Sequence, residues 1–252
     1  MMSIPKTVGV IIQARMGSTR LPGKVLMTIG DTPLLKVMIN RVKQTKQITK
    51  IIVATSTSPL DDEIVEFCNS NGIDSFRGSE SDVFSRYYEC SMSHNFDIIV
   101  RLTADCPLID PLIVDQVISL FKQSGADYAS NTIPLDSSTY PDGSDVEVFS
   151  HSALVRAHNE VSDIKYREHV TFHFWKGGNT GFKTIQLKSV ENWSNYRITI
   201  DYPEDYQVIK HIFSMIQGEG AYGQLENIIQ ILDENPNIRN LNSKYVSGMG
   251  WD

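Results

Sequence analysis

The sequence predicts an α/β fold, a mostly parallel twisted sheet with helices on both faces. Three observations lead there. The apolar runs at 8–12, 50–54 and 97–102 are continuous, as in strands buried on both sides. The stretches between them carry apolar residues at helical spacing, as in Leu34, Leu35, Val37, Met38 and Val42. The 252 residues, 41% of them hydrophobic, suffice for one sizeable core, so 1–252 reads as a single domain.

The first strand, 8–12, ends at a loop rich in glycine and cations, 13–24. Thr32 is a candidate N-cap, and Pro33 suits the first position of a helix running through Val42. After strand 50–54, Ser58-Pro59 repeats that start, and Asn69 to Gly72 stops the second helix. A short strand at 73–76 precedes a helix at 82–92, which Ser79 or Ser81 would cap while Glu80 and Asp82 favour its first turn. Strand 97–102 leads to a fourth helix through Gln123, with Asp110 before Pro111 as its N-cap. From Asp127 the rhythm changes. Turns at Pro134 and Pro141-Asp142-Gly143 lead to a half-buried strand around Val146, Val148 and Phe149. A helix at 152–160 and an aromatic-rich stretch at 166–175 precede the turn Gly177-Gly178-Asn179. Strands at 183–187 and 197–200 and helices at 203–215 and 224–233 complete the chain. The stretch 131–192 breaks the alternation and reads as an inserted β-rich arm.

Composition narrows the function. No apolar run approaches the ~20 residues that span a bilayer, and 1–6 lacks the apolar segment of a secretory signal. Cys68, Cys90 and Cys106 are odd in number and lack metal-ligand spacing, which fits a reduced, cytoplasmic setting. Net charge is −7, yet the first thirty residues hold four cations and no acid, leaving 19 cations against 30 acids in the rest. A basic patch on an acidic body argues against nucleic acid, which wants an extended positive face, and suits one small polyanion.

The basic patch is the loop after the first strand, where ligands of parallel sheets gather. Gly17 and Gly23 permit close backbone approach. Arg15 and Arg20 can grip phosphate oxygens in pairs, and Lys24 can meet a single oxygen. Composition alone fits a solvated surface loop equally well. It is not the Walker loop, because Val25 follows Lys24.

Taken whole, Arg15-Met16-Gly17-Ser18-Thr19-Arg20-Leu21-Pro22-Gly23-Lys24 fills every position of Arg-x-Gly-Ser-x-Arg-Leu-Pro-Gly-Lys. It thereby resembles the signature of cytidylyltransferases that activate acidic sugars as CMP derivatives, closest to the subgroup related to spore-coat polysaccharide biosynthesis protein F. The resemblance extends over nearly the whole chain. It implies a Rossmann-like fold of the nucleotide-diphospho-sugar transferase type and CTP as the nucleotide. It also implies a homodimer, with the 131–192 arm covering the sugar and meeting the partner subunit. The implied nucleotide-binding residues are Gln13, Ala14, Arg15, Gly17, Ser18, Arg20 and Lys24, joined by Arg77 and Ser79.

Nucleotidyl transfer needs a divalent ion against the triphosphate charge, and Mg2+ takes one or two carboxylates completed by water and phosphate. Asp105, just beyond strand 97–102, reads on its own as a turn former. Asp201, before Tyr202-Pro203-Glu204-Asp205, reads on its own as a helix cap. The resemblance makes both of them metal ligands, although the family often has Thr where Tyr202 stands. It turns Asp142, Glu147, Arg167 and His169 toward the acceptor, where Arg167 and His169 would suit an anionic partner. A hairpin turn and a structural ion pair would explain those four residues equally well. Arg101, at the end of a core strand, needs a partner, which is either the site or a carboxylate such as Asp105.

The expected reaction is attack by an acceptor oxygen on the α-phosphorus of CTP, with pyrophosphate leaving. Arg15, Arg20 and Lys24 would stabilise the charge, and Asp105 and Asp201 would hold Mg2+. The resemblance implies surface polysaccharide biosynthesis as the setting. Two other classes stay open. A Mg-dependent glycosyltransferase of similar architecture usually shows Asp-x-Asp, whereas Asp105-Cys106-Pro107 has no second Asp. A non-catalytic nucleotide-binding module would have no need of every loop cation and both aspartates.

Overall fold

The computed structural model describes residues 6–176, 180–216 and 224–248, so the turn expected at Gly177-Gly178-Asn179 lies outside them. In chain order the strands are β1 (Val8–Gln13), β2 (Thr28–Ile29), β3 (Thr32–Pro33), β4 (Lys50–Ser56), β5 (Asp74–Gly78), β6 (Ile98–Thr103), β7 (Tyr128–Ser130), β8 (Glu147–Ser150) and β9 (Thr184–Gln186). The helices are α1 (Leu34–Val42), α2 (Asp62–Ser70), α3 (Val83–Ser93), α4 (Pro111–Ser124), α5 (His151–Glu160), α6 (Ile164–Glu168), α7 (Phe172–Trp175), α8 (Pro203–Ile216), α9 (Leu225–Glu234) and α10 (Pro236–Arg239). Seven strands form one sheet in the order β5-β4-β1-β6-β8-β7-β9, while β2 and β3 pair separately. Among the described strands of the seven-stranded sheet, only β8 runs against its neighbours.

The continuous apolar strands face two cores, as their composition requires. Val10 and Ile12 of β1 point into a core built with α1, α4, α8 and α9, and Ile11 points into one built with α3, α5 and α7. On the second face Gly9 lies under the ring of Phe96, so close that a Cβ would stand 2.1 Å from it. The stretch 131–192 gives this same sheet β8 and β9 and lays α5 and α7 on the second core.

Some local readings change. Thr32 and Pro33 pair with Thr28 and Ile29 as a small hairpin, and α1 starts one residue later, at Leu34. Pro59–Asp61 form a 3-10 turn before α2, so the Ser-Pro start comes early. The cap of α3 is Asp82, whose carboxylate accepts from Ser85 N at 2.9 Å, and neither Ser79 nor Ser81 caps it. Asp110 caps α4 as expected and also accepts from Leu225 N at 2.8 Å. Among the described residues, the stretch 197–200 joins no ladder beyond one bridge between Arg197 and Asp142. Its backbone bonds to loops instead, with Ile198 N donating to Asp142 O and Ile200 N to Asp105 O at 2.9 Å. Arg101 pairs with Glu147, its register partner across β6 and β8, and not with Asp105.

Candidate active site

β1 ends at Gln13, and the basic loop follows at the carboxyl edge of the sheet. Three features fold the loop. Gly23 N donates to Met16 O at 3.0 Å, Gly23 takes φ +71°, and Met16 N donates to Asp61 Oδ1 at 2.7 Å. Burial pushes the Asp61 carboxyl up, but hydrogen bonds from Met16 and Ser56 outweigh it and hold it below the usual carboxylate range. Ala14 spends its N–H on Ala54 O, so it offers no donor to a ligand. The N–H groups of Arg15, Gly17, Thr19 and Arg20 have no protein partner among the described residues. The loop thus exposes unpaired donors beside cationic side chains, the makings of an anion cradle.

Lys24 turns inward at the loop's end and is only 8% exposed. Its ammonium donates to Asp105 Oδ2 at 3.1 Å, Asp201 Oδ1 at 2.9 Å and Ile200 O at 2.6 Å. Arg20 adds a second contact to Asp201 Oδ1 at 2.8 Å. The two aspartates meet because the backbone of 199–200 docks on the turn after β6, with Ile200 N and Thr199 Oγ1 both donating to Asp105 O. The Asp201 carboxylate faces cations, and Asp205 takes the N–H groups at the start of α8 in its place. Burial opposes the charge on Lys24, but Asp105 and Asp201 overcome it and raise its pKa. Burial likewise raises Asp105, and the Lys24 charge and bonds from Thr103 and Lys24 reverse this to about 2. Both groups are therefore ionised near neutrality.

This pair fits Mg2+. Two hard carboxylates converge on one point, and a cation already stands there as the Lys24 ammonium. Among the described residues no three His, Cys, Asp or Glu side chains form a metal cage, so phosphate and water would complete the shell.

Two cavities of about 250 Å3 each adjoin here. One is lined by Arg15, Ser18 and Lys24 of the loop, the other by Asp142, Asp145, Glu147 and His169, and both by Gln13, Arg20, Asp105 and Asp201. Gln13 Oε1 is buried there without a hydrogen-bond partner among the described residues. Asp142 pairs with Arg197, and burial followed by the neighbouring Asp145 charge lifts its carboxyl to about 7. Glu147 is held by Arg101 and by Tyr128 OH at 2.6 Å. His169 stacks on Phe172 with ring centres 4.2 Å apart, and burial pushes its imidazole down.

Three expected residues sit elsewhere. The guanidinium of Arg167 is engaged by Asp82 at 2.7 Å and Ser85 Oγ at 2.7 Å, away from either cavity lining. Arg77 bonds to Asp62, Ser56 O and Ser58 O. Ser79 Oγ accepts from Asp82 N at 3.0 Å. The sequence does not announce Arg197 or the stacking of Tyr245 on Tyr202, 3.7 Å between ring centres, in the wall of the second cavity. An arginine four residues before a candidate ligand was the available signal for Arg197.

Comparison with known proteins identifies the family. The cytidylyltransferase family model matches residues 9–238. An uncharacterized protein of Methanocaldococcus jannaschii is 38% identical over 240 residues, covering 92% of this chain and 93% of that protein. Spore coat polysaccharide biosynthesis protein SpsF of Bacillus subtilis is 34% identical over 233 residues, covering 90% and 94%. The solved structure of a cytidylyltransferase from Leptospira borgpetersenii has a TM-score of 0.86 at 35% identity, covering 93% of this chain and 98% of that one. With a basic loop, paired aspartates and a relative matched along its length, the chain belongs to the cytidylyltransferase family and is a nucleotidyltransferase.

Proposed function

We propose that the chain transfers CMP from CTP to an anionic, polyhydroxylated sugar acid and releases pyrophosphate. The observation that carries this reading is the cation-bridged pair Asp105 and Asp201 at the junction of two cavities. The loop cavity, with Arg15, Lys24 and unpaired backbone donors, suits a triphosphate. The second cavity suits the acceptor. Its carboxylates can accept hydrogen bonds from sugar hydroxyls, and Arg101 and His169 on the same wall suit an acid group. The α-phosphorus would lie at the junction, in reach of an acceptor oxygen.

Asp105 and Asp201 would hold Mg2+, which supplies charge neutralisation on the phosphates when bound. Arg15 and Arg20 orient the triphosphate, and Lys24 moves its charge from the carboxylates to the leaving pyrophosphate. Gln13, between both cavities, offers its orphaned oxygen to a donor of the bound nucleotide. No covalent enzyme intermediate is needed. The preference for cytosine and the role in surface polysaccharide synthesis rest on the family and on the name of the Bacillus relative.

The test is pyrophosphate release measured over four nucleoside triphosphates and a panel of acidic sugars with Mg2+. Release confined to CTP plus a sugar acid is expected. CTP binding without release across the panel would favour a non-catalytic module.

A further inference from the structure

We propose that Arg197 is a positioning residue that sets the Asp201 carboxylate for the cation and ties it to the acceptor wall at Asp142. The inference rests on the reading above, in which Asp201 is a metal ligand. The Arg197 side chain is 8% exposed, yet it meets three carboxylates. Nε and one terminal nitrogen form a fork on Asp205, at 2.9 and 3.0 Å. That same nitrogen donates to Asp201 Oδ2 at 3.1 Å, and the other donates to Asp142 Oδ2.

Burial of one arginine is already satisfied by the fork on Asp205, which is fully buried. Asp205 is itself fixed by N–H donors from Asp201 and Tyr202 and by Asn242 Nδ2 at 2.9 Å. The guanidinium is therefore a rigid bracket. It occupies Oδ2 of Asp201 and leaves Oδ1 toward Lys24 and Arg20. With Lys24 drawn to phosphate, Oδ1 would be the oxygen of Asp201 left free for a cation. The remaining arm reaches Asp142, so the metal face and the acceptor face share one support. A lysine cannot do this, because a point charge lacks the planar fork. Outer partners of this kind govern metal affinity as well as orientation.

The experiment measures Mn2+ binding to the enzyme with CTP present, from the loss of the free-ion EPR signal beyond that taken by CTP alone. Arg197→Lys keeps a buried charge beside Asp205 and is read first. The double variant Arg197→Gln with Asp205→Asn removes the charge pair together and keeps an oxygen for the Asp201 and Tyr202 N–H groups. In either variant Mn2+ affinity is expected to fall ~tenfold or more, and acceptor KM to rise, while CTP KM moves by less than about threefold. Unchanged Mn2+ affinity with only a lower Tm, in whichever variant folds, overturns the proposal. If the wild-type enzyme releases no pyrophosphate with any sugar acid, the functional reading fails, and the Mn2+ titration still decides the role of Arg197.

Discussion

Lys24 Nζ stands 2.9 Å from Asp201 Oδ1, on a ligand candidate it must release before a metal can bind there. The same ammonium neutralises Asp105 at 3.1 Å. Lys24 is thus the counter-ion that the two carboxylates share. Lys24→Ala leaves two partly buried carboxylates facing one another. We expect metal-free stability to drop by about 2 kcal/mol, and Mg2+ to raise Tm more in the variant than in the wild type. Turnover should fall ~10²–10³-fold, as when one charge-stabilising donor is lost. Thermal unfolding with and without MgCl2, beside pyrophosphate release, checks both. Near-normal turnover would remove the loop from the mechanism.

Asp142 makes stability depend on pH. Burial and the Asp145 charge lift its folded-state carboxyl to about 7, against 3.8 for the free group. The folded protein therefore holds a proton that the unfolded chain releases near pH 4. The contribution to stability is fully present below pH 4 and is lost as pH rises through 7. The loss runs across the interval between those two values. In Asp142→Asn, the fall in Tm between pH 4.5 and 7 without divalent ions should flatten. An equally steep profile in that variant assigns the titration to another group.

Why some of this was legible in the sequence and some was not follows from where the partners lie. β1, β4 and β6 announce themselves because burial on both faces forces a continuous apolar run. The loop 13–24 is equally local, since its cations, glycines and preceding strand are adjacent in sequence. Thr32-Pro33 misleads because a cap before proline and a bridge residue before proline look alike, and only the pairing with Thr28 and Ile29 separates them. Ile198-Thr199-Ile200 has the composition of a strand, yet its backbone bonds to Asp142 and Asp105 across the fold. Arg101 finds Glu147 only once β8 runs antiparallel to β6. Arg197 lies four residues before Asp201 and eight before Asp205, but its third carboxylate, Asp142, comes from a distant segment that no spacing encodes.

Gly143 carries the turn that presents Asp142. Its φ of +99° is open to glycine and costly to other residues. A Cβ there would lie 2.3 Å from Thr199 N and 2.4 Å from Ile198 C, both backbone atoms of the segment leading to Asp201. Gly143→Ala must therefore part the two segments as well as strain the turn. We expect a loss of about 3 kcal/mol in stability and a rise in acceptor KM larger than that for CTP. Urea unfolding and steady-state kinetics measure the two effects. A variant as stable as the parent would show that the contact between 143 and 198–199 is looser than it stands here.

Arg15 separates ligand binding from folding more cleanly than any other loop residue. Its side chain is exposed and makes no hydrogen bond or ion pair with the described residues, although it lines the loop cavity. Arg20, by contrast, is committed to Asp201 at 2.8 Å and lies over the Tyr202 ring at 5.0 Å. Arg15→Ala should then change stability by no more than about 0.5 kcal/mol. If the guanidinium grips the triphosphate in the transition state, kcat/KM for CTP should fall ~10²-fold or more. Arg20→Ala should lose activity too, but with a drop in metal-free Tm, because Asp201 loses one of its cations. Chemical denaturation and pyrophosphate release on the two variants test the contrast. Arg15→Ala with normal kcat/KM for CTP would move the triphosphate away from this side of the loop and leave Lys24 as its principal anchor.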